Sequence, residues 1–170
     1  MTTLTKPSIK VADEVWITVA MLHQRYPDKP DFSIEEIMDF ARNAQELRVI
    51  TPLRPGFYVH VVQHCVANRP PSPARYRMLV ETAPGRRRLF RPGDLYHPQR
   101  ADGKSSPKAI EDLPEYWFNG ILEWYRNWTC KNEEDKIKND PLLAIYGSGR
   151  DLWADEDADE YIRRLREGWE

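Results

Sequence analysis

His60-Val61-Val62-Gln63-His64 sets two imidazoles one helical turn apart, a spacing that can hold a metal ion. The zinc-protease pattern needs a Glu directly after the first His as general base, and Val61 stands there instead. A third ligand is offered only by His97, in a distant loop, so neither a metal nor a cofactor is expected. The same residues suit hydrogen bonding better. Gln63 and Asn68 can each serve an adenine edge with paired bonds, and His60 or His64 can donate to guanine or phosphate. Asn68 is equally suited to capping the end of a helix. The carboxylates Asp155, Glu156, Asp157, Asp159 and Glu160 resemble a metal-nuclease cluster in type, but in the first turn of a helix they complement its dipole. No nucleophile elbow, phosphate loop, Rossmann glycine pattern or paired-cysteine site occurs. An enzyme is therefore not expected.

A net charge of -2 conceals a strong asymmetry. Residues Met1 to Asn68 carry 7 basic and 8 acidic side chains, net -1; Arg69 to Lys108 carry 10 and 3, net +7; Ala109 to Glu170 carry 8 and 16, net -8. The cationic middle holds Arg75, Arg77, Arg86, Arg87, Arg88 and Arg91, residues able to meet phosphates or a narrow minor groove. Double-stranded DNA is the partner that this surplus predicts.

The elements that must position these groups follow from periodicity. Val11, Ala12, Val15, Trp16, Val19, Leu22 and Tyr26 recur at three- and four-residue steps, giving a first helix that ends before Pro27. Ser33 and Glu36 form a capping box, with Phe32 able to staple onto Ile37, and start a second helix from Ile34 to about Arg42. Gln45 to Ile50 reads as a helical turn or a short strand. Phe57 to Asn68 reads as a third helix, with Tyr58, Val61, Val62, Cys65 and Val66 packing and His60, Gln63, His64, Ala67 and Asn68 facing out. Arg69-Pro70-Pro71 stops it. Arg75 to Thr82 and Arg86 to Arg91 then make a hairpin around Ala83-Pro84-Gly85, with Arg75 and Arg77 outward and the register of the second strand open. Leu95 to Pro107 is a loop.

Asp112 and Glu115 form another capping box for a helix from Leu113 to Thr129, whose stripe of Leu113, Trp117, Ile121, Trp124 and Trp128 is edged by Phe118 and Tyr125. The stripe fits a core face or a homodimer face. Lys131 to Asp140 is charged and reads as linker or frayed helix, Pro141 to Tyr146 as an apolar island, Gly147-Ser148-Gly149 as a break, and Asp155 to Arg166 as a last helix. The expected organisation is a domain over 1–130, a linker over 131–150 and a helical tail over 151–170. That tail offers Trp153, Tyr161, Ile162, Leu165 and Trp169, either to the domain or to a partner. The absence of a long apolar run and of an apolar leader in MTTLTKPSIK predicts no membrane span and a cytoplasmic protein; Cys65 and Cys130 fit reduced thiols there.

Asp13-Glu14-Val15-Trp16, Phe32 to Ile37 and the helix-plus-hairpin of Phe57 to Asp94 resemble a bacterial winged helix-turn-helix domain. That resemblance implies a mainly α fold with a small β-hairpin (α+β), DNA binding and transcription regulation. Separately, Asp140-Pro141-Leu142-Leu143, Gly147-Ser148-Gly149-Arg150, Leu152 to Glu156 and Tyr161 to Trp169 are similar to the C-terminal tails of bacterial antitoxins paired with PIN-domain ribonuclease toxins. This likeness implies that Trp153, Tyr161, Ile162, Leu165 and Trp169 anchor a toxin, and that Arg163, Arg164 or Arg166 enters its acidic metal site. The expected function is a DNA-binding, antitoxin-like regulator. The alternative is a non-catalytic protein-interaction module on a winged-helix scaffold, with the acidic tail docked on its own basic wing.

Overall fold

The computed structural model describes residues 9–44, 53–108, 113, 115–145 and 158–167. The fold mixes helices with a small antiparallel sheet, and the chain divides into two compact units, Met1–Asn127 and Trp128–Glu170.

In the first unit, helix α1 (Val11–Arg25) ends as its pattern predicts: Tyr26 N–H still bonds Leu22 O, and Pro27 has no N–H to continue with. It is buried on nearly every side. Val15, Trp16, Ile17, Val19 and Ala20 are fully enclosed, and so are Asp13, Glu14 and Thr18. Buried charges need partners. Arg54 pairs with Glu14 at 2.9 Å, Lys104 with Asp13 at 2.7 Å, and the Thr18 hydroxyl donates to Glu14 O.

Strand β1 (Phe32–Ser33) leads into α2 (Ile34–Asn43) through the expected capping box, in which Ser33 Oγ accepts from Glu36 N–H while the Glu36 carboxylate accepts from Ser33 N–H. Phe32 and Ile37 are both buried. Gln45 to Ile50 lies outside the described residues.

Helix α3 departs from its expected course. Phe57–Val59 begins as α-helix, but His60–His64 winds as a π-turn, in which Cys65 N–H reaches back five residues to His60 O. The wider turn rotates the faces relative to a regular helix. Phe57, Val61, Cys65, Val66 and Ala67 are buried, whereas Tyr58, expected to pack, is 53% exposed and Val62 is half-buried. The helix also stops at His64 rather than Asn68.

Strands β2 (Leu79–Ala83) and β3 (Arg86–Leu89) form the expected hairpin, turning at Gly85, whose φ of +74° suits glycine. The sheet order is β1-β3-β2, antiparallel, with Leu79 opposite Leu89, Glu81 opposite Arg87, and Phe32 opposite Arg87. Both strands are shorter than predicted. Arg77 and Met78 give their N–H groups to Lys104 O and Cys65 O, and the Arg91 N–H bonds the Asp94 carboxylate. The register left open resolves with Arg87 and Leu89 buried and Arg86 and Arg88 on the other face.

Helix α4 (Glu115–Lys138) runs well past Thr129 and takes in Lys131 to Lys138, the stretch read as linker or frayed helix. Lysine and glutamate favour helix, and Glu134 and Lys138 stand at i,i+4. Leu113, Ile121 and Leu122 are buried. Tyr125, assigned to the edge of the stripe, is an anchor: its ring meets Trp16 edge-on at 5.2 Å and its hydroxyl donates to Phe90 O.

In the second unit α4 is followed by α5 (Pro141–Ile145) and α6 (Ala158–Glu167). Ile137, Leu142, Leu143, Ile145 and Ile162 are exposed, as are Arg163, Arg164 and Arg166. Tyr161 and Leu165 lie on α6, while Trp153, Trp169 and the expected start at Asp155 lie outside the described residues. No helix among the described residues is long and apolar enough to cross a membrane.

His23 is buried against Phe32, and its pKa falls from 6.5 to about 4, chiefly through burial and then through Arg91 and Arg88. The unfolded chain therefore binds this proton more readily, and stability present near pH 7.5 declines as the pH falls through 6.5 toward 4. The loss is expected to reach roughly 2 kcal/mol by about pH 5. Urea midpoints at the two pH values check this: His23→Gln should flatten the difference, and an unchanged difference would assign it elsewhere.

Candidate functional site

The residues singled out by sequence converge where α3 meets the hairpin. A helix leaves its last carbonyls without backbone donors and its end electronegative. Here three guanidinium groups meet those carbonyls. Arg87 donates to Val61 O at 3.2 Å and to Val62 O at 3.4 Å; Arg69 also reaches Val62 O; Arg100 donates to His64 O at 2.8 Å and Gln63 O at 3.0 Å.

Arg100 is fully buried, and its remaining donors go to Arg69 O, Tyr76 O and Pro70 O, so one side chain ties the helix end to the loop after it and to the approach of β2. It sits on a short 3-10 turn (Pro98–Arg100) whose first amide is capped by His97. Close packing continues at Gly103, where a Cβ would come within 1.7 Å of Arg75 O. His97 thus serves a loop.

The arginines expected to meet phosphate are mostly engaged by the chain itself. Arg87 is fully buried and bonded to Glu81 at 3.0 Å. Arg69 also grips Glu81 through two bonds of 2.7 Å, and that pairing, followed by Arg87, holds the Glu81 carboxyl below its ordinary pKa. Arg86 pairs with Asp31 at 2.6 Å and Arg88 with both oxygens of Asp94. Burial raises the Asp31 pKa, but hydrogen bonds from Thr82 and Arg86 outweigh it and keep the group low. Arg91 is half-buried, its pKa drawn down to about 10 by burial and by Arg88. Arg77 bonds Gly103 O and lies 4.5 Å from the Tyr96 ring centroid. Arg75 remains exposed without an ion-pair partner among the described residues. As a set these guanidinium groups are largely engaged in holding the fold together.

The helical readers are for the most part likewise bonded to the chain itself. His60 Nδ1 bonds Gly56 O, its ring stands 4.8 Å from His64 edge-on, and burial lowers its pKa. Gln63 Nε2 donates to Pro70 O. Asn68, exposed, clasps the backbone of Glu81, its amide donating to Glu81 O and its oxygen accepting from Glu81 N–H, so that it lines β2 rather than capping the helix. His64 Nδ1 is buried without a hydrogen-bond partner among the described residues. On α3 the exposed positions are Tyr58 and Val59. Among the described residues no three His, Cys, Asp or Glu side chains stand close enough together to hold a metal.

No protein-family model matches the chain, and no curated protein or solved structure matches it either. The residues that sequence reasoning missed are Arg69, Arg100, Glu81, Asp31 and Asp94. Their pairings span as many as 55 positions, and a periodicity argument does not reach that far.

Replacing Arg100 by Met leaves five carbonyls without this donor and is expected to cost roughly 3–5 kcal/mol, whereas Arg75→Ala should stay within about 0.5 kcal/mol. Chemical denaturation of both variants checks this. Equal effects would show that Arg100 does not hold the helix end.

Proposed function

We propose that this chain is a non-catalytic regulator that acts by holding a protein partner, its first unit serving as a winged-helix-type scaffold and its tail as the docking segment. The order helix, strand, helix, helix, hairpin, with the first strand paired to the third, supports the winged-helix reading. One observation carries the choice of protein over DNA: Arg69, Arg86, Arg87, Arg88 and Arg100 are spent on Glu81, Asp31, Asp94 and backbone carbonyls. An arginine held by a carboxylate or by carbonyls must give up those bonds before it meets a phosphate, which offsets the gain. The resemblance of the tail to antitoxins of PIN-domain ribonucleases supplies the partner, with exposed Ile162 among its anchors and Arg163, Arg164 or Arg166 for the acidic site.

DNA binding and transcription regulation form the second reading. The charge of net +7 over Arg69 to Lys108 and the exposed Arg75 favour it. In that reading the contacts fall to Tyr58, Val59 and Arg75 rather than to the arginine hairpin.

Titrating the full chain with duplex DNA across a salt series separates the two. Protein docking predicts a slope of log K against log salt no steeper than about -2, the signature of one or two phosphates. A slope of about -5 or steeper would overturn the proposal. For the tail, co-expression with a PIN-domain ribonuclease, should one be encoded beside this chain, is expected to restore growth, and Ile162→Asp to remove the protection. Protection retained by that variant would contradict the docking role.

A further inference from the structure

The end of α1 and the face of α2 enclose an open groove of about 420 Å³, whose walls include Tyr26, Phe40 and an edge of the otherwise buried Phe32, and which is lined by the charged Arg25, Lys29, Glu36 and Asp39. The Tyr26 and Phe32 rings stand 6.4 Å apart and tilted by 55°, and the Lys29 ammonium lies 5.7 Å from one centroid and 5.8 Å from the other. The same ammonium meets Glu36 Oε1 at 2.5 Å.

The chain builds this arrangement from two local devices. After α1 stops, Lys29 N–H bonds Tyr26 O, a turn that folds the lysine back over its own neighbour's ring. Glu36 divides its oxygens: Oε2 accepts from Ser33 N–H in the capping box, which fixes the carboxylate, and Oε1 is left for the cation. Bonds from Lys29 and then from Ser33 keep that carboxyl below its ordinary pKa, so the third wall is negative at neutral pH.

Two ring faces and one carboxylate around a positive centre form a cation cage. We propose that the groove is a binding site for an alkylammonium group, held by the chain's own Lys29 until a better-matched cation replaces it. Lys29 is 47% exposed at its side chain, and an exposed ion pair is weak, so the lysine can swing into water at little cost. A methylated ammonium is less strongly hydrated than Lys29 and presents more surface to the rings. It gains from the aromatic walls what Lys29 gains from solvent.

The test uses the full chain and tetramethylammonium chloride, against sodium chloride at equal ionic strength, read by NMR shifts of the Tyr26 and Phe32 rings. Lys29→Ala vacates the cage and is expected to tighten binding by about fivefold or more. Glu36→Gln keeps a residue able to close the capping box while removing the charge, and should weaken binding by a similar factor, as should Tyr26→Leu. No ring shifts in Lys29→Ala up to about 50 mM, or shifts indifferent to Tyr26→Leu, would overturn the site. A short peptide carrying trimethyllysine separates the two sources of the ligand. Tighter binding than tetramethylammonium assigns the site to a protein-borne lysine, and equal binding assigns it to a free amine.

Discussion

The first unit depends on how the electronegative end of α3 is neutralised. The π-turn over His60–His64 brings the carbonyls of Val61, Val62, Gln63 and His64 to one place, and Arg69, Arg87 and Arg100 enter from three different segments to meet them. Burying a guanidinium is expensive unless nearly every donor is used. Arg100 meets that condition with five carbonyls, and Arg87 meets it with three carbonyls and Glu81. The hairpin, the loop after it and the helix are therefore fastened through one polar knot. Around that knot the apolar core of Trp16, Phe57, Val61, Leu79 and Leu89 supplies the burial.

This arrangement changes the meaning of charge in the sequence. A surplus of +7 over forty residues looks like a surface field, but a count of residues does not separate side chains that face water from side chains that hold backbone together. Here Glu81 accepts two arginines, Asp31 and Asp94 one each, Lys104 pairs with Asp13, and backbone carbonyls take Arg77 and Arg100. The surface that remains on α3 is led by Tyr58 and Val59. Apolar and aromatic exposure of that kind suits contact with a protein better than contact with a phosphate chain.

Much of the local structure was legible because it rests on short-range rules. Pro27 ends α1, Ser33 and Glu36 start α2 through a box that closes as written, and Gly85 turns the hairpin with the positive φ only glycine adopts freely. What escaped was set by distance and by competition. The π-turn has no sequence signature, so regular helical spacing places Tyr58 on the packed face, where the structure leaves it exposed. Asn68 fits a C-cap by type, yet the backbone of Glu81 took both of its hydrogen-bonding groups. Helix α4 continued through Lys131 to Lys138 because charged residues of high helix propensity need no apolar stripe. The carboxylate partners of the hairpin arginines lie 6 to 55 positions away, where pattern reading has no purchase.

The most direct test of the structural claim is the hydrogen exchange of the arginine Nε–H protons by NMR, with and without duplex DNA. Arg87 and Arg100 are expected to exchange slowly and to keep their shifts when DNA is added, while Arg75 exchanges fast. Rapid exchange at Arg87 and Arg100, or shifts there that move with DNA, would contradict it.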